Sequence, residues 1–295
     1  MLSTARGSRL GTFGPVEWAL LTGVALTWGA SFVLIEVSLE SLAPGAITWI
    51  RLSLGFLVVS AIPAARRPVD RTDYPRLLLL GCTWLAIPFL LFPIAQQHLD
   101  SALAGMLVST VPIFSAAIAI VLMRTLPRLR QAAGIALGFA GAVSISLPAA
   151  RGSSAAAWGV LLLLVATLFH GLSFNLAVPL QQRYGAPAVM MRAIGLGAIV
   201  TAPFGLVGLS QSQWTAGPVV AVVVLGIINP GTAFVIMTTL IGRVGSTRGG
   251  VAVYFVPVVA MVLGMVFRSE VVLPLQWAGT AVVLFGAWLT SRRED

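Results

Sequence analysis

"LTWGASF", residues 26–32, returns 142 positions later as "LFHGLSF", residues 168–174. Leu, Gly, Ser and Phe hold matching places in the two copies, and Trp28 stands where the later copy has His170. Both copies lie in apolar surroundings, and no charged residue occurs from Gly152 to Gln182. Burying groups such as His170 and Asn175 there is costly unless each finds a partner. The spacing and setting of these two heptapeptides decide how the rest of the chain is read.

The 295 residues are 58% hydrophobic and only 9% charged. A soluble domain carries roughly 25% charged residues, so a surface this poor in charge must face lipid. The net charge of +9 comes from arginines alone. They are scattered singly at the ends of apolar runs, a pattern of membrane topology and not of nucleic-acid binding. The lipid bilayer and a small-molecule substrate are the expected partners; no nucleic acid is expected, and the oligomeric state is left open, a monomer being compatible. One cysteine, Cys82, can form neither an internal disulfide nor a metal site. It reads as a packing residue, and neither metal nor cofactor is expected. The first apolar run is about 20 residues long without a small-residue cleavage site, too long for a signal-peptide core, and reads as a retained span.

A membrane helix needs about 20 mostly apolar residues. Runs of that kind lie at 17–38, 44–62, 76–96, 101–123, 130–148, 156–179, 187–208, 216–241, 247–267 and 273–291. The breaks between them are short and carry turn or charge signals. Runs this long without alternation are helices, not barrel strands. With the N-terminus in the cytoplasm, ten spans leave fourteen arginines in cytoplasmic segments and only Arg151 and Arg268 outside. That bias puts both termini in the cytoplasm and the protein in the plasma (inner) membrane as a multi-pass chain.

The repeat extends beyond the opening motif. A gapless shift of 145 lays residues 81–146 on 226–291 with fifteen identities in sixty-six positions. Gly81 meets Gly226, Phe89 meets Phe234, Ser101 meets Ser246, Gly105 meets Gly250 and Pro112 meets Pro257. The expected organisation is therefore all-α: a cytoplasmic tail at 1–15, a five-helix repeat at 16–148, a second at 149–291 and a short tail at 292–295. Five is odd, so the copies cross in opposite senses. Inverted repeats around a midplane cavity are the sequence mark of alternating-access transporters.

The ten spans, the two five-helix repeats, "WGASF" in the first span and "AGMLVSTVPIFSAAIA", residues 104–119, in the fourth resemble the EamA family of the drug/metabolite transporter superfamily. The resemblance covers essentially the whole chain. It implies ten helices around a central cavity, peripheral fifth and tenth spans, and export of small metabolites, with amino acids a frequent class. Other metabolites or drugs are the alternative within that class.

Charged groups inside spans are the usual pointer to function. Glu36, Arg51 and Arg192 qualify, with Glu17 at a membrane edge. Arg51 lies about 10 Å below the outer end of its span at 1.5 Å per residue. A hairpin would bring it to Glu36, so a structural ion pair or interface anchor is one reading and a substrate-carboxylate contact another. Arg192, close to a span end, reads as an interface anchor. No carboxylate sits at the membrane centre, which leaves proton antiport, facilitated diffusion and exchange open. Pro112 and Pro257 occupy matching places in the repeats, and kinks at such places point to a binding region. The remaining cavity candidates are Trp28, Ser31, Trp84, Phe89, Phe92, Ser109, His170, Ser173, Phe174, Asn229, Phe234 and Tyr254. Trp18, Trp158, Trp214 and Trp277 sit at span ends as belt residues. On the sixth span Thr167, His170, Ser173 and Phe174 share one face, while Asn175 points elsewhere.

Two rival classes fare worse. An intramembrane serine enzyme needs a nucleophile, a base and an oxyanion site; His170 and Ser173 share a helix face but no further acidic or basic group accompanies them. A channel favours rings of polar residues along a water-lined pore, and this chain has few; a non-transporting scaffold remains the other alternative. The topology is directly checkable. Reporter fusions at Asp295 and at Ser153 should report opposite sides of the membrane, and same-side signals would overturn the span count.

Overall fold

The computed structural model describes residues 14–124, 129–244 and 252–291. Most of the expected tails, the loop at 125–128 and the start of the ninth expected span lie outside the described residues. Seven described helices are long and apolar enough to cross a membrane. These are α1 (Pro15–Leu39), α3 (Arg71–Gln96), α4 (Ser101–Leu122), α5 (Leu129–Gly152), α6 (Ser154–Tyr184), α7 (Ala186–Gln211) and α8 (Ala216–Met237). Three shorter apolar helices accompany them: α2 (Pro44–Ser60), α9 (Ala252–Arg268) and α10 (Pro274–Ser291). No strand occurs among the described residues.

The apolar pattern wraps these helices all round. Leu26, Leu57, Val143, Ile199 and Phe267 stay exposed on their outer faces, as a lipid-facing surface requires. Lipid chains are as apolar as leucine, so helix association must come from close packing and interhelical hydrogen bonds. Both are present. α5 lies along α10 and α2 along α7, while α1 packs on α9 and α8, and α6 on α3 and α4. Glycines set the closest approaches. A Cβ on Gly141 of α5 would lie 2.6 Å from the Gly279 carbonyl oxygen of α10, and one on Gly279 would lie 2.9 Å from that of Gly141. Buried hydroxyls and amides tie other pairs: Ser173 Oγ donates to Thr83 Oγ1 at 2.9 Å, and Asn175 Nδ2 donates to the Ser115 carbonyl at 3.1 Å. Asn175 therefore holds α6 to α4, facing away from His170.

Three helices are irregular. α3 widens to a π turn over Gly81–Ala86, and α8 does so over Ile227–Thr232, where Asn229 leaves helical geometry altogether at φ −144°, ψ 110°. α4 breaks at Ser109–Thr110, just before Pro112. Proline lacks an N–H and disfavours helical geometry in the residue before it. Pro257 sits inside α9, which runs unbroken from Ala252 to Arg268.

Gly141 offers a sharp test, because the atom facing it is backbone and cannot rotate away. Gly141→Ala should destabilise the purified protein by about 1–3 kcal/mol, the usual cost of overpacking. A thermal melt in detergent equal to that of the parent chain would show that α5 and α10 can part freely.

Candidate functional site

A cavity of about 100 Å³ lies among α1, α2, α3, α4, α6, α8 and α9. Its walls follow from the local irregularities. The π turn in α3 turns Trp84 inward, where the indole meets Phe174 of α6 edge-on at 5.3 Å and Phe234 of α8 at 5.8 Å. Further along α3, Phe92 meets Phe32 of α1 at 5.9 Å and the His170 ring of α6 at 5.6 Å, while Phe89 lies 6.3 Å from His170. His170 Nδ1 is 3.1 Å from the Ala166 carbonyl oxygen. A carbonyl only accepts, so Nδ1 is the donor of that contact, and the rest of the ring faces the cavity.

Of the residues singled out from sequence, Trp28, Ser31, Trp84, Phe89, Phe92, His170, Phe174, Asn229 and Phe234 line the cavity. Five others do not. Ser109 is buried and donates to the Met106 carbonyl within its own helix. Ser173, fully buried, is taken up by Thr83 and the Phe169 carbonyl. Tyr254 donates its hydroxyl to the Ala287 carbonyl of α10 at 3.2 Å. Pro112 and Pro257 stay out of the lining, and the valines beside them, Val111 and Val256, face the cavity instead. A short hydroxyl in lipid-like surroundings is satisfied by the nearest backbone or neighbouring helix, so polar type alone does not mark a wall residue. Phe32, Ile35, Leu85, Val108 and Val253 were missed. The repeat register held the signal for most of them. At the shift of 142 Phe32 falls on Phe174; at 145 Val108 and Val111 fall on Val253 and Val256. All six line the cavity.

The expected Glu36–Arg51 pair is not formed. Glu36 Oε1 accepts from Arg268 Nε of α9 at 2.9 Å, and the same guanidinium reaches Glu40 at 2.7 Å. Arg51 stays buried at 3% exposure, with Nε donating to the Asn229 carbonyl at 3.1 Å and its guanidinium carbon 3.8 Å from the Phe89 ring centre. The break in α8 frees that carbonyl, and a cation over an aromatic face is favoured electrostatically. Arg192 Nη2 donates to the Arg67 carbonyl at 2.7 Å.

Charge pairs close both ends of the body. At the end where α1 begins, Glu17 accepts from Arg243 at 2.7 Å, and Asp73 holds Arg183 at 2.8 Å and the Tyr184 hydroxyl at 2.7 Å. At the opposite end Arg268 joins α9 to α1, and Glu270 caps the start of α4. Both Glu270 oxygens accept there, from Ser101 N at 2.9 Å, Ser101 Oγ at 2.6 Å and Ala102 N at 2.7 Å. A carboxylate at a helix N-terminus meets orphan N–H groups and a favourable dipole.

A multi-span helical body around an aromatic cavity with a few polar groups is the architecture of a membrane transporter. The chain belongs to the EamA-like transporter family, which matches residues 17–147 and 157–292. Among similar proteins, one named "Probable terminal-alkyne amino-acid exporter" from Streptantibioticus cattleyicolor is 29% identical, over 94% of this chain and 93% of its own. An "Uncharacterized transporter" from Archaeoglobus fulgidus is 23% identical, over 94% of this chain and 99% of its own. The "Uncharacterized inner membrane transporter YedA" of Escherichia coli K12 is 24% identical, over 92% and 89%. A solved crystal structure, 20% identical, superposes with a TM-score of 0.62 over 93% of this chain and 96% of that one, and so shares the fold.

Burial, and after it the neighbouring Glu36 carboxyl, push the Glu270 carboxyl from 4.5 up to about 7. The folded value lies above the unfolded one, so the stability contributed by this group is complete below about 4.5 and lost as pH rises through about 7. Thermal melts between pH 5 and 8 should show the parent chain losing stability relative to Glu270→Gln as pH rises. Parallel curves would remove Glu270 from the account.

Proposed function

We propose that the chain is an alternating-access exporter of small metabolites, with amino acids the first substrates to test. In this reading ten spans form two inverted five-helix repeats, residues 16–148 and 149–291, with both termini in the cytoplasm of a plasma-membrane protein. The observation that carries it is the composition of the cavity. Its walls are supplied in pairs by positions equivalent in the repeat register: Trp28 with His170, Phe32 with Phe174, Trp84 with Asn229, and Phe89 with Phe234.

Other features support the same reading. The π turns at Gly81–Ala86 and Ile227–Thr232 fall at nearly equivalent places. The helix pairings mirror each other, α1 with α8 and α9 against α6 with α3 and α4. The family match also divides into two stretches of similar length. Two similar halves set in opposite senses can exchange conformations, giving inward-open and outward-open states of similar energy. The charge pairs at the two ends are the contacts such an exchange would make and break in turn. Amino acids come first because the Streptantibioticus relative is named as an amino-acid exporter.

The experiment is reconstitution into liposomes and counterflow against a panel of amino acids. Saturable exchange of at least one is expected; flux that neither saturates nor shows counterflow would favour a channel. His170 presents the cavity with a titratable ring of a kind its repeat partner Trp28 cannot supply. His170→Ala should lower transport about five- to tenfold, the equivalent of one hydrogen bond, with membrane yield intact. Unchanged transport in that variant would make His170 a packing residue.

A further inference from the structure

The cavity holds one permanent cation and no carboxylate. Arg51 is 3% exposed and lines the cavity. No Asp or Glu is among the lining residues. The ion pairs formed among the described residues join other partners: Glu17 with Arg243, Asp73 with Arg76 and Arg183, Asp70 with Arg183, and Glu36 and Glu40 with Arg268. Nε of Arg51 is bound to the Asn229 carbonyl, and one face of the guanidinium lies on Phe89. Its terminal nitrogens Nη1 and Nη2 make no hydrogen bond to a described residue, and the group sits in the cavity wall.

A buried charge without a counter-ion is costly, and guanidinium cannot give up its proton to escape that cost. It is tolerated when something of opposite charge fills the space in front of it. The planar fork of a guanidinium matches a carboxylate, binding it through two parallel N–H donors. Asn229 and Phe89 fix the plane of this fork before any ligand arrives, so little freedom is lost on binding. Around it Trp28, Trp84, Phe92, Phe174 and Phe234 offer aromatic surface for an apolar body. An ammonium group would find no ion-pair partner among the lining residues.

We propose that Arg51 is the anion anchor of the cavity and that the protein takes small monocarboxylates with an apolar or aromatic body, the amino group being dispensable. This rests on the reading of the cavity as the transport site and narrows its substrates. It places amino acids within a broader class that includes their deaminated and N-acylated forms. The second arginine within an apolar run, Arg192, cannot play the same part because its Nη atoms are bound to the Ala65, Ala188 and Arg67 carbonyls.

Three probes that differ only at the polar end separate the possibilities: phenylalanine, 3-phenylpropionate and phenylalaninamide. Competition for uptake into proteoliposomes, together with ligand-induced shifts in the melting of the purified full chain, reads them out. The acid without an amine should compete at least as well as phenylalanine, and the amide at least about tenfold more weakly. Arg51→Gln should weaken both acids by about tenfold or more, the loss of a charged hydrogen-bonded contact, and leave the amide unchanged. An amide that competes as well as the acids, or acids that bind Arg51→Gln undiminished, would overturn the proposal. The comparison of acid with amide on the parent chain stands even where the variant fails to fold. If no member of the panel binds or moves, the reading of the cavity as an amino-acid transport site falls first, and the anchor with it. If amino acids move but the amine proves essential, only the anchor's breadth is wrong.

Discussion

One buried contact shapes the middle of this molecule: the Arg51 Nε donating to the Asn229 carbonyl, 3.1 Å away and 178 residues along the chain. Backbone polar groups surrounded by apolar matter must find partners inside the protein. Breaking α8 at Asn229 strips a carbonyl of its helical donor, and placing an arginine in an apolar interior leaves a cation short of acceptors. Each defect answers the other. Removing one would leave the other exposed to the full cost of an unsatisfied buried group. The contact also ties α2 to α8 where the two helices pack directly on each other beside the cavity. The aromatic cage then follows, since the kinked stretch of α8 leads directly into Phe234, which meets Trp84.

The charge pairs at the ends obey a different rule. Glu17 and Asp73 are nearly fully buried, at 2% and 3% exposure, yet each has at least one arginine at hydrogen-bonding distance. Burying a carboxylate is acceptable when the partner is close and the geometry is good. These pairs join sequence-distant helices: α1 to the end of the helix continuing α8, and α3 to α6. Arg268 and Glu270 do the same work at the opposite end by joining α9 to α1 and capping α4. The body is therefore tied by ionic contacts at both ends and by apolar and hydroxyl contacts between them.

Glycine, not leucine, decides how closely the helices approach. The α5–α10 pair meets where Gly141 and Gly279 leave room for each other's carbonyl, and Gly105 lies against Ala260 where α4 meets α9. In a lipid setting this closeness supplies the dispersion contacts that burial from water supplies in soluble proteins.

The helical class, the lipid-facing composition and the apolar segments were written in the sequence, because a chain with 9% charged residues cannot cover itself in water. Most aromatic wall positions were legible too: Trp28, Trp84, Phe89, Phe92, Phe174 and Phe234 are large groups placed deep in spans, and the register of 142 and 145 pairs several of them. Hydroxyls misled, since Ser109 and Ser173 spend their donors on their own helix or the next one. The partner of Arg51 was not legible at all. Sequence spacing along a hairpin favoured Glu36, but a long side chain is satisfied by whatever polar atom lies nearest in three dimensions. That atom was a carbonyl exposed by a helix break in α8, and Arg268, 232 residues from Glu36, reached the glutamate instead. Periodicity and composition determine which segments are buried in lipid, since those are properties of single helices. Which buried charge meets which acceptor depends on how helices far apart in the chain are packed, and only the tertiary structure decides that.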